Sequence, residues 1–157
     1  MVENSTEYEI DTETITYVEG LHIANLKFDY NMTTNAMLLD RCMDYLVEKD
    51  FTLLISLDGD EYQSGYRVDK HGKSSFARVA GNIQKLKDTY PEFFEKNVRF
   101  NAVLHDRNSV EECYKSIYGL FGKKPRVSEL NTSGIYQKEW KSLFGCLMIK
   151  QRVLRLH

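Results

Sequence analysis

Apolar positions along this chain keep two rhythms in turn. Between 36 and 48 they fall at positions 37, 38, 39, 42, 43, 46 and 47, which is the stripe of an amphipathic helix. Phe51 to Leu57 is then nearly all apolar, as a strand covered on both faces would be. After a long polar stretch, Asp58 to Lys73, Ser75 stands before Phe76, Val79, Ile83 and Leu86, predicting a capped helix that ends near Pro91. Val98 to Leu104 reads as a strand. Ser109 with Glu112 forms a capping box and opens a helix that reaches Gly119–Gly122. Arg126 to Leu130 is a further strand, followed by the turn Asn131-Thr132-Ser133-Gly134. Upstream, Asp11 to Gly20 predicts a short helix around Ile15 and Val18. Leu26 to Asn31 predicts the first strand, with Met32-Thr33-Thr34-Asn35 as the polar run after it. Trp140, Leu143, Phe144, Leu147 and Met148 have helical spacing in the last segment.

A helix followed by three strand–helix units and a fourth strand predicts the α/β class, with about four parallel strands joined by right-handed crossovers. Ligands in such sheets gather at the carboxyl ends of the strands. That rule selects Thr33 to Asn35, Ser56 to Gly59, His105 to Asn108 and Asn131 to Gly134.

The chain's 157 residues suit one ordinary domain, and 42% apolar content allows a real core. Lys and Arg number 21 against 23 Asp and Glu, a balance unlike that of a protein built to coat nucleic acid or an anionic membrane. No apolar run reaches the ~18–20 residues of a membrane span, and the start lacks a signal-peptide layout. Cys42, Cys113 and Cys146 form an odd, dispersed set, which fits a reducing, cytoplasmic location better than a disulfide framework. Acids without any Lys or Arg fill residues 1–20, and Lys150, Arg152 and Arg155 without any acid close the chain.

The segment Leu53-Leu54-Ile55-Ser56-Leu57-Asp58-Gly59-Asp60 brings a buried strand out into a hydroxyl, two carboxylates and a glycine. It either meets a ligand or simply turns, and Asp58-x-Asp60 also suits a divalent metal holding a nucleotide sugar. Thr33-Thr34-Asn35 either binds a ligand or caps the next helix. Arg67, between Tyr66 and Val68, is either solvated surface or a clamp on a carboxylate. Asn101 stands mid-strand, as a core amide or a ligand contact. Histidine and cysteine spacings offer no metal motif, and the phosphate-loop and nucleophile-elbow signatures are absent from the sequence. Cys42 and Cys113 fall on apolar helix faces, and Tyr114, Tyr118 and Phe121 have the spacing of core residues.

Four stretches taken in order, MTTNAMLL, LLISLDGD, YRVDKHGKSSFARV and KNVRFNAVLHDRNS, resemble the radical S-adenosylmethionine peptide maturases. These belong to the anaerobic sulfatase-maturase-like group, and the likeness is greatest to those paired with glycine-glycine leader peptides. It covers about residues 17–135. It implies a partial (β/α) barrel with helices on the outer face over 1–135; the helical spacing of the last segment predicts a helical tail over 136–157. The resemblance also implies that Ser56 contacts the ribose of S-adenosylmethionine and Arg67 its carboxylate, with Thr34, Asn35, Asp58 and Asn101 lining the same cavity.

The family's CxxxCxxC motif, expected before the first strand, is missing from this sequence, as are the glycine-glycine-glutamate motif and the carboxyl-terminal cysteine-rich domain. Three thiolates normally hold the family's [4Fe–4S] cluster. The resemblance therefore implies the middle of a peptide-modifying enzyme, inactive alone, with S-adenosylmethionine bound weakly or not at all. Two other readings stay open: a non-catalytic module that binds a substrate or leader peptide, and a nucleotide-sugar transferase fragment using Asp58 and Asp60. Four strands cut from a barrel expose two edges and an inner face, which the residues Leu53 and Ile55 would help to form. A homo-oligomer through those edges, or through the tail, is the expected remedy.

Overall fold

The computed structural model describes residues 12–21 and 27–129. The helices are α1 (Thr12–Gly20), α2 (Leu39–Glu48), α3 (Phe76–Thr89), α4 (Pro91–Asn97) and α5 (Val110–Phe121). The strands are β1 (Asn31–Thr34), β2 (Thr52–Ser56), β3 (Val98–Leu104) and β4 (Arg126–Glu129). All three strand pairings are parallel, and the spatial order is the chain order, β1-β2-β3-β4. Right-handed crossovers that always step in one direction put α2 to α5 on the same side of the sheet, the winding of a (β/α) barrel. The sheet is thus an arc of such a barrel.

Register and burial agree with that winding. Met32 pairs with Leu53 and Leu53 with Val98, while Thr34 pairs with Ile55 and Ile55 with Phe100. Leu53, Ile55, Val98, Phe100, Ala102 and Leu104 are all buried, beneath Leu46 of α2, Ile83 of α3, Phe94 of α4 and Ile117 of α5. Phe100 stacks on Phe121 at 5.3 Å between ring centroids and meets Phe94 edge-on at 6.4 Å. Leu53 and Ile55 therefore lie on the helix side, and the expectation that they form the inner face is corrected. Their continuous apolar run hid which face was which.

Four other expectations change. The first strand is Asn31–Thr34 rather than Leu26–Asn31. Thr52 N–H donates to Tyr30 O (2.8 Å), Tyr30 stacks on Phe51, and the ladder with β2 begins only at Asn31. Threonine is at home in a strand with one uncovered face, so the polar run itself pairs. Pro91 starts α4 instead of merely ending α3, because proline suits the first turn of a helix. Ser75 Oγ donates to Arg67 O (2.8 Å) and makes no cap on α3. Tyr114 and Tyr118 are exposed and stack on each other, leaving Phe121 as the core residue of that trio. The Ser109–Glu112 capping box is present, and Gly122 ends α5 in the left-handed conformation. Leu130, the turn 131–134, the proposed boundary at 135 and the tail lie outside the described residues.

Candidate functional site

Strand alternation sends the remaining side chains to the uncovered face. Thr33 pairs with Leu54, Leu54 with Arg99, Ser56 with Asn101, and Asn101 with Arg126. Thr33, Leu54, Ser56, Arg99, Asn101, Val103, Arg126 and Ser128 therefore share it, each exposed or half-buried. Ser56 and Asn101 are neighbours in register near the carboxyl end, and Asn101 Nδ2 donates to Ser128 Oγ (3.2 Å). These are hydroxyls and amides facing what would be the inside of a barrel.

The densest chemistry lies just beyond β2. Asp58 is 4% exposed and carries a side-on ion pair with Arg67: Nε donates to Oδ2 at 2.7 Å and Nη2 to Oδ1 at 2.8 Å. Asp58 Oδ1 also accepts from Val103 N–H at 2.9 Å. In a continuing parallel ladder that N–H would go to a β2 carbonyl; the carboxylate takes over where β2 leaves the sheet. The Arg67 side chain remains 28% exposed. Gly59 has φ +133°, and a Cβ there would overlap Gln63 Oε1, which accepts from Asp60 N–H (2.8 Å) and Ser116 Oγ (2.9 Å). Only glycine permits so close an approach.

The loop after β3 is fastened to this one. Asn108, 1% exposed, donates from Nδ2 to Val103 O (2.9 Å) and Asp58 O (3.2 Å) and accepts from His105 N–H (2.9 Å). Buried His105 lies with Nε2 4.0 Å from Asp58 Oδ2, and its Nδ1 accepts from Arg107 N–H (3.1 Å). Tyr66 donates its hydroxyl to Asp106 (2.9 Å) and receives the Arg107 guanidinium over its ring at 4.1 Å. Partial desolvation, then the Asp106 hydrogen bond, raises the Tyr66 pKa, so it stays a protonated donor.

The end of β1 is different. Thr34 faces the helix side, and its Oγ1 accepts from Ala36 N–H (3.0 Å). Asn35 Oδ1 accepts from Met37 N–H (3.0 Å), and Ala36 between them has φ +60°. Both side chains hold a turn, which is the capping alternative. Of the six sequence candidates, Ser56 and Asn101 share the uncovered face, Asp58 and Arg67 bind each other at its rim, and Thr34 and Asn35 each accept a backbone N–H of the turn after β1.

Two hollows in the described surface lie away from that rim. One of about 280 Å³ opens at the amino-terminal half of the uncovered face, beside Thr33, Leu54 and Arg99. Another of about 560 Å³ lies by Asp60, Tyr62, Phe76 and Leu120, between the β2 loop, α3 and α5. Asp58 is paired with Arg67, and Asp60 is exposed and accepts from Gln63 N–H (3.0 Å). Among the described residues no group of three His, Cys, Asp or Glu is placed to hold a metal. Cys42 sits on α2, where burial and then Asp40 raise its pKa; Cys113 on α5 is buried and donates to Asp58 O. This pair does not fit an iron–sulfur cluster. No described helix is long and apolar enough to cross a membrane.

No protein-family model matches the chain, and no curated protein does. Solved structures do. Native anSMEcpe, an anaerobic sulfatase-maturating radical S-adenosylmethionine enzyme, with bound AdoMet (S-adenosylmethionine) and Kp18Cys peptide, superposes with a TM-score of 0.65 at 21% identity. The match covers 80% of this chain and 36% of that one. Native anSMEcpe with AdoMet alone gives 0.65 at 20% identity over the same shares. A histidine-tagged form with AdoMet gives 0.64 at 21%, covering 75% and 31%. The fold is that of a radical S-adenosylmethionine maturase. The chain spans about a third of the length of these maturase structures. The uncovered face also carries Arg99 and Ser128, which the end-of-strand rule does not select. Counting by twos along β3 from Asn101 finds Arg99, whereas Ser128 needs the β3–β4 register.

Proposed function

We propose that this chain contains the S-adenosylmethionine-binding arc of a radical enzyme that modifies ribosomally made peptides. The observation that carries the reading is the pairing of Ser56 with Asn101 on the uncovered face of a maturase fold, with the Arg67 guanidinium at the carboxyl-terminal rim. The donor set fits the nucleoside and amino-acid parts of the cofactor: Ser56 and Asn101 offer hydroxyl and amide to a ribose, and Arg67 offers N–H bonds to a carboxylate. The cofactor supplies radical chemistry when it is bound beside a reduced cluster. Ser56 and Asn101 orient, Arg67 neutralises, and Asp58 with Asn108 fixes the two loops that surround them. The described cysteines do not fit the cluster, and we infer that these 157 residues do not act alone.

The neighbour with a bound peptide favours a substrate or leader peptide as partner. β1 and β4 end the described sheet, and association through these edges or through residues 136–157 into a homo-oligomer would cover them. The dispersed cysteines favour the cytoplasm.

The test is a nitrogen–proton correlation titration of the whole chain with S-adenosylmethionine. Saturable shifts are expected at about millimolar ligand, since contacts from the rest of such an enzyme are not supplied. Ser56→Ala should weaken them several-fold. No saturable shift at ten times that concentration, or shifts unaffected by Ser56→Ala, would overturn the assignment.

A further inference from the structure

Arginine has five N–H bonds, and Asp58 takes only the side-on pair from Nε and Nη2. The end-on fork, one N–H from Nη1 and one from Nη2 on the side away from the chain, donates to no described residue. A guanidinium used side-on by one carboxylate can still meet a second carboxylate end-on with two parallel bonds. Asp58 itself is held from three sides. Val103 N–H binds its Oδ1, Asn108 Nδ2 and Cys113 Sγ bind its backbone carbonyl, and His105 Nε2 lies 4.0 Å from Oδ2. Arg67 is tied through its main chain as well: its N–H donates to Ser64 O (2.8 Å), and its carbonyl accepts from Ser75 Oγ. A long cationic side chain is thereby fixed at a rim where most arginines would wave in solvent. Such pre-ordering lowers the entropy lost when a ligand is gripped.

We propose that Asp58 is a positioning residue, holding Arg67 side-on so that its end-on fork is presented to the carboxylate of a bound cofactor that carries a free amino-acid group. Asp58 then touches no ligand and is not a wall of the cavity. The proposal rests on the reading of the site as one for S-adenosylmethionine, and the ligand pair below separates the two.

The probes are S-adenosylmethionine and its decarboxylated form, which keeps the sulfonium and the amine and lacks only the carboxylate. Titrations of the full chain are followed by backbone shifts and by the Arg67 Nε–H signal. Asp58→Asn should weaken S-adenosylmethionine about tenfold, the worth of one charge-assisted contact, and move the decarboxylated ligand less than about twofold. Arg67→Lys, which keeps the charge beside Asp58 but has no second fork, should show the same selective loss even if Asp58→Asn folds poorly. Asp58→Asn combined with Arg67→Ala should be no worse than Arg67→Ala alone. Equal losses for both ligands would make Asp58 merely structural and overturn the proposal, as would tighter S-adenosylmethionine binding by Asp58→Asn, which would show the carboxylate competing for the fork. Failure of the unaltered chain to bind either ligand would instead overturn the reading of the site, and the proposal with it.

Discussion

The two faces of this sheet are built from the same four strands and do opposite work. On the helix side Leu53, Ile55, Val98 and Phe100 are buried to within 1% of their area. The buried amides of Asn82 and Asn97 on that side are hydrogen-bonded. On the other side Ser56, Asn101, Thr33 and Arg99 remain open, with few internal partners. One face has spent its side chains on folding, and the other has kept them. A protein that binds something inside a barrel needs that division, because groups already satisfied by neighbours have little to give a ligand. The rim joins the two: Asp58 and Asn108 belong by burial to the first face and by place to the second.

The largest expected effect comes from emptying the covered face. Phe100→Ala removes a ring that is 1% exposed and stacked against Phe121 and Phe94. A loss of about 3–5 kcal/mol in unfolding free energy is expected from urea melts. That is a large share of the ~5–15 kcal/mol an ordinary domain has. A loss below about 1 kcal/mol would mean that the helix layer does not carry the fold.

A middle-sized effect probes a polar group on the same side. Asn82 of α3, 9% exposed, donates to Ala36 O (2.9 Å) and Met37 O (3.2 Å), and so ties α3 to the turn where Ala36 holds a positive φ. Asn82→Ala leaves those carbonyls short of a donor and should cost about 1–3 kcal/mol in the same melts. An unchanged midpoint would show that water reaches the turn freely, and the contrast between the faces would soften there.

Much of the division was legible beforehand, in specific places. Val98–Leu104 alternates and was found to the residue, and Ser109 and Glu112 gave the start of α5. Phe51–Leu57 was read as a strand but not by face, since an unbroken apolar run carries no period. β1 was misplaced because Asn31–Thr34 contains one apolar residue, and its strand character comes from β2 beside it. Residue type and spacing select Ser56, Arg67, Asp58 and Asn101, and the structure brings Ser56 beside Asn101 and Asp58 onto Arg67. Type and spacing could not tell a carboxylate that meets a ligand from one that holds an arginine, because that depends on a contact across nine residues of loop. Thr34 Oγ1 and Asn35 Oδ1 accept backbone N–H groups of the turn after β1, a local use that residue type alone does not announce.

The smallest effect is the sharpest test of the contrast. Ser56→Ala and Asn101→Ala each remove a half-buried polar group from the open face, and the one internal bond at stake is that of Asn101 to Ser128. Surface changes of this kind usually lie within about 0.5 kcal/mol, so the urea midpoints should hardly move. The two residues are opposite each other in register, so their effects are expected to be coupled rather than independent. On stability, the double variant should fall within about 1 kcal/mol of the unaltered chain. In the S-adenosylmethionine titration the same variant should lose more than either single one. If these positions served folding, the order would reverse: the double variant would melt early, and its ligand response would fall only with the folded fraction. Scaling the titration by the folded fraction from the melts separates the two cases, and a binding loss that vanishes on scaling would assign Ser56 and Asn101 to the architecture instead of the site.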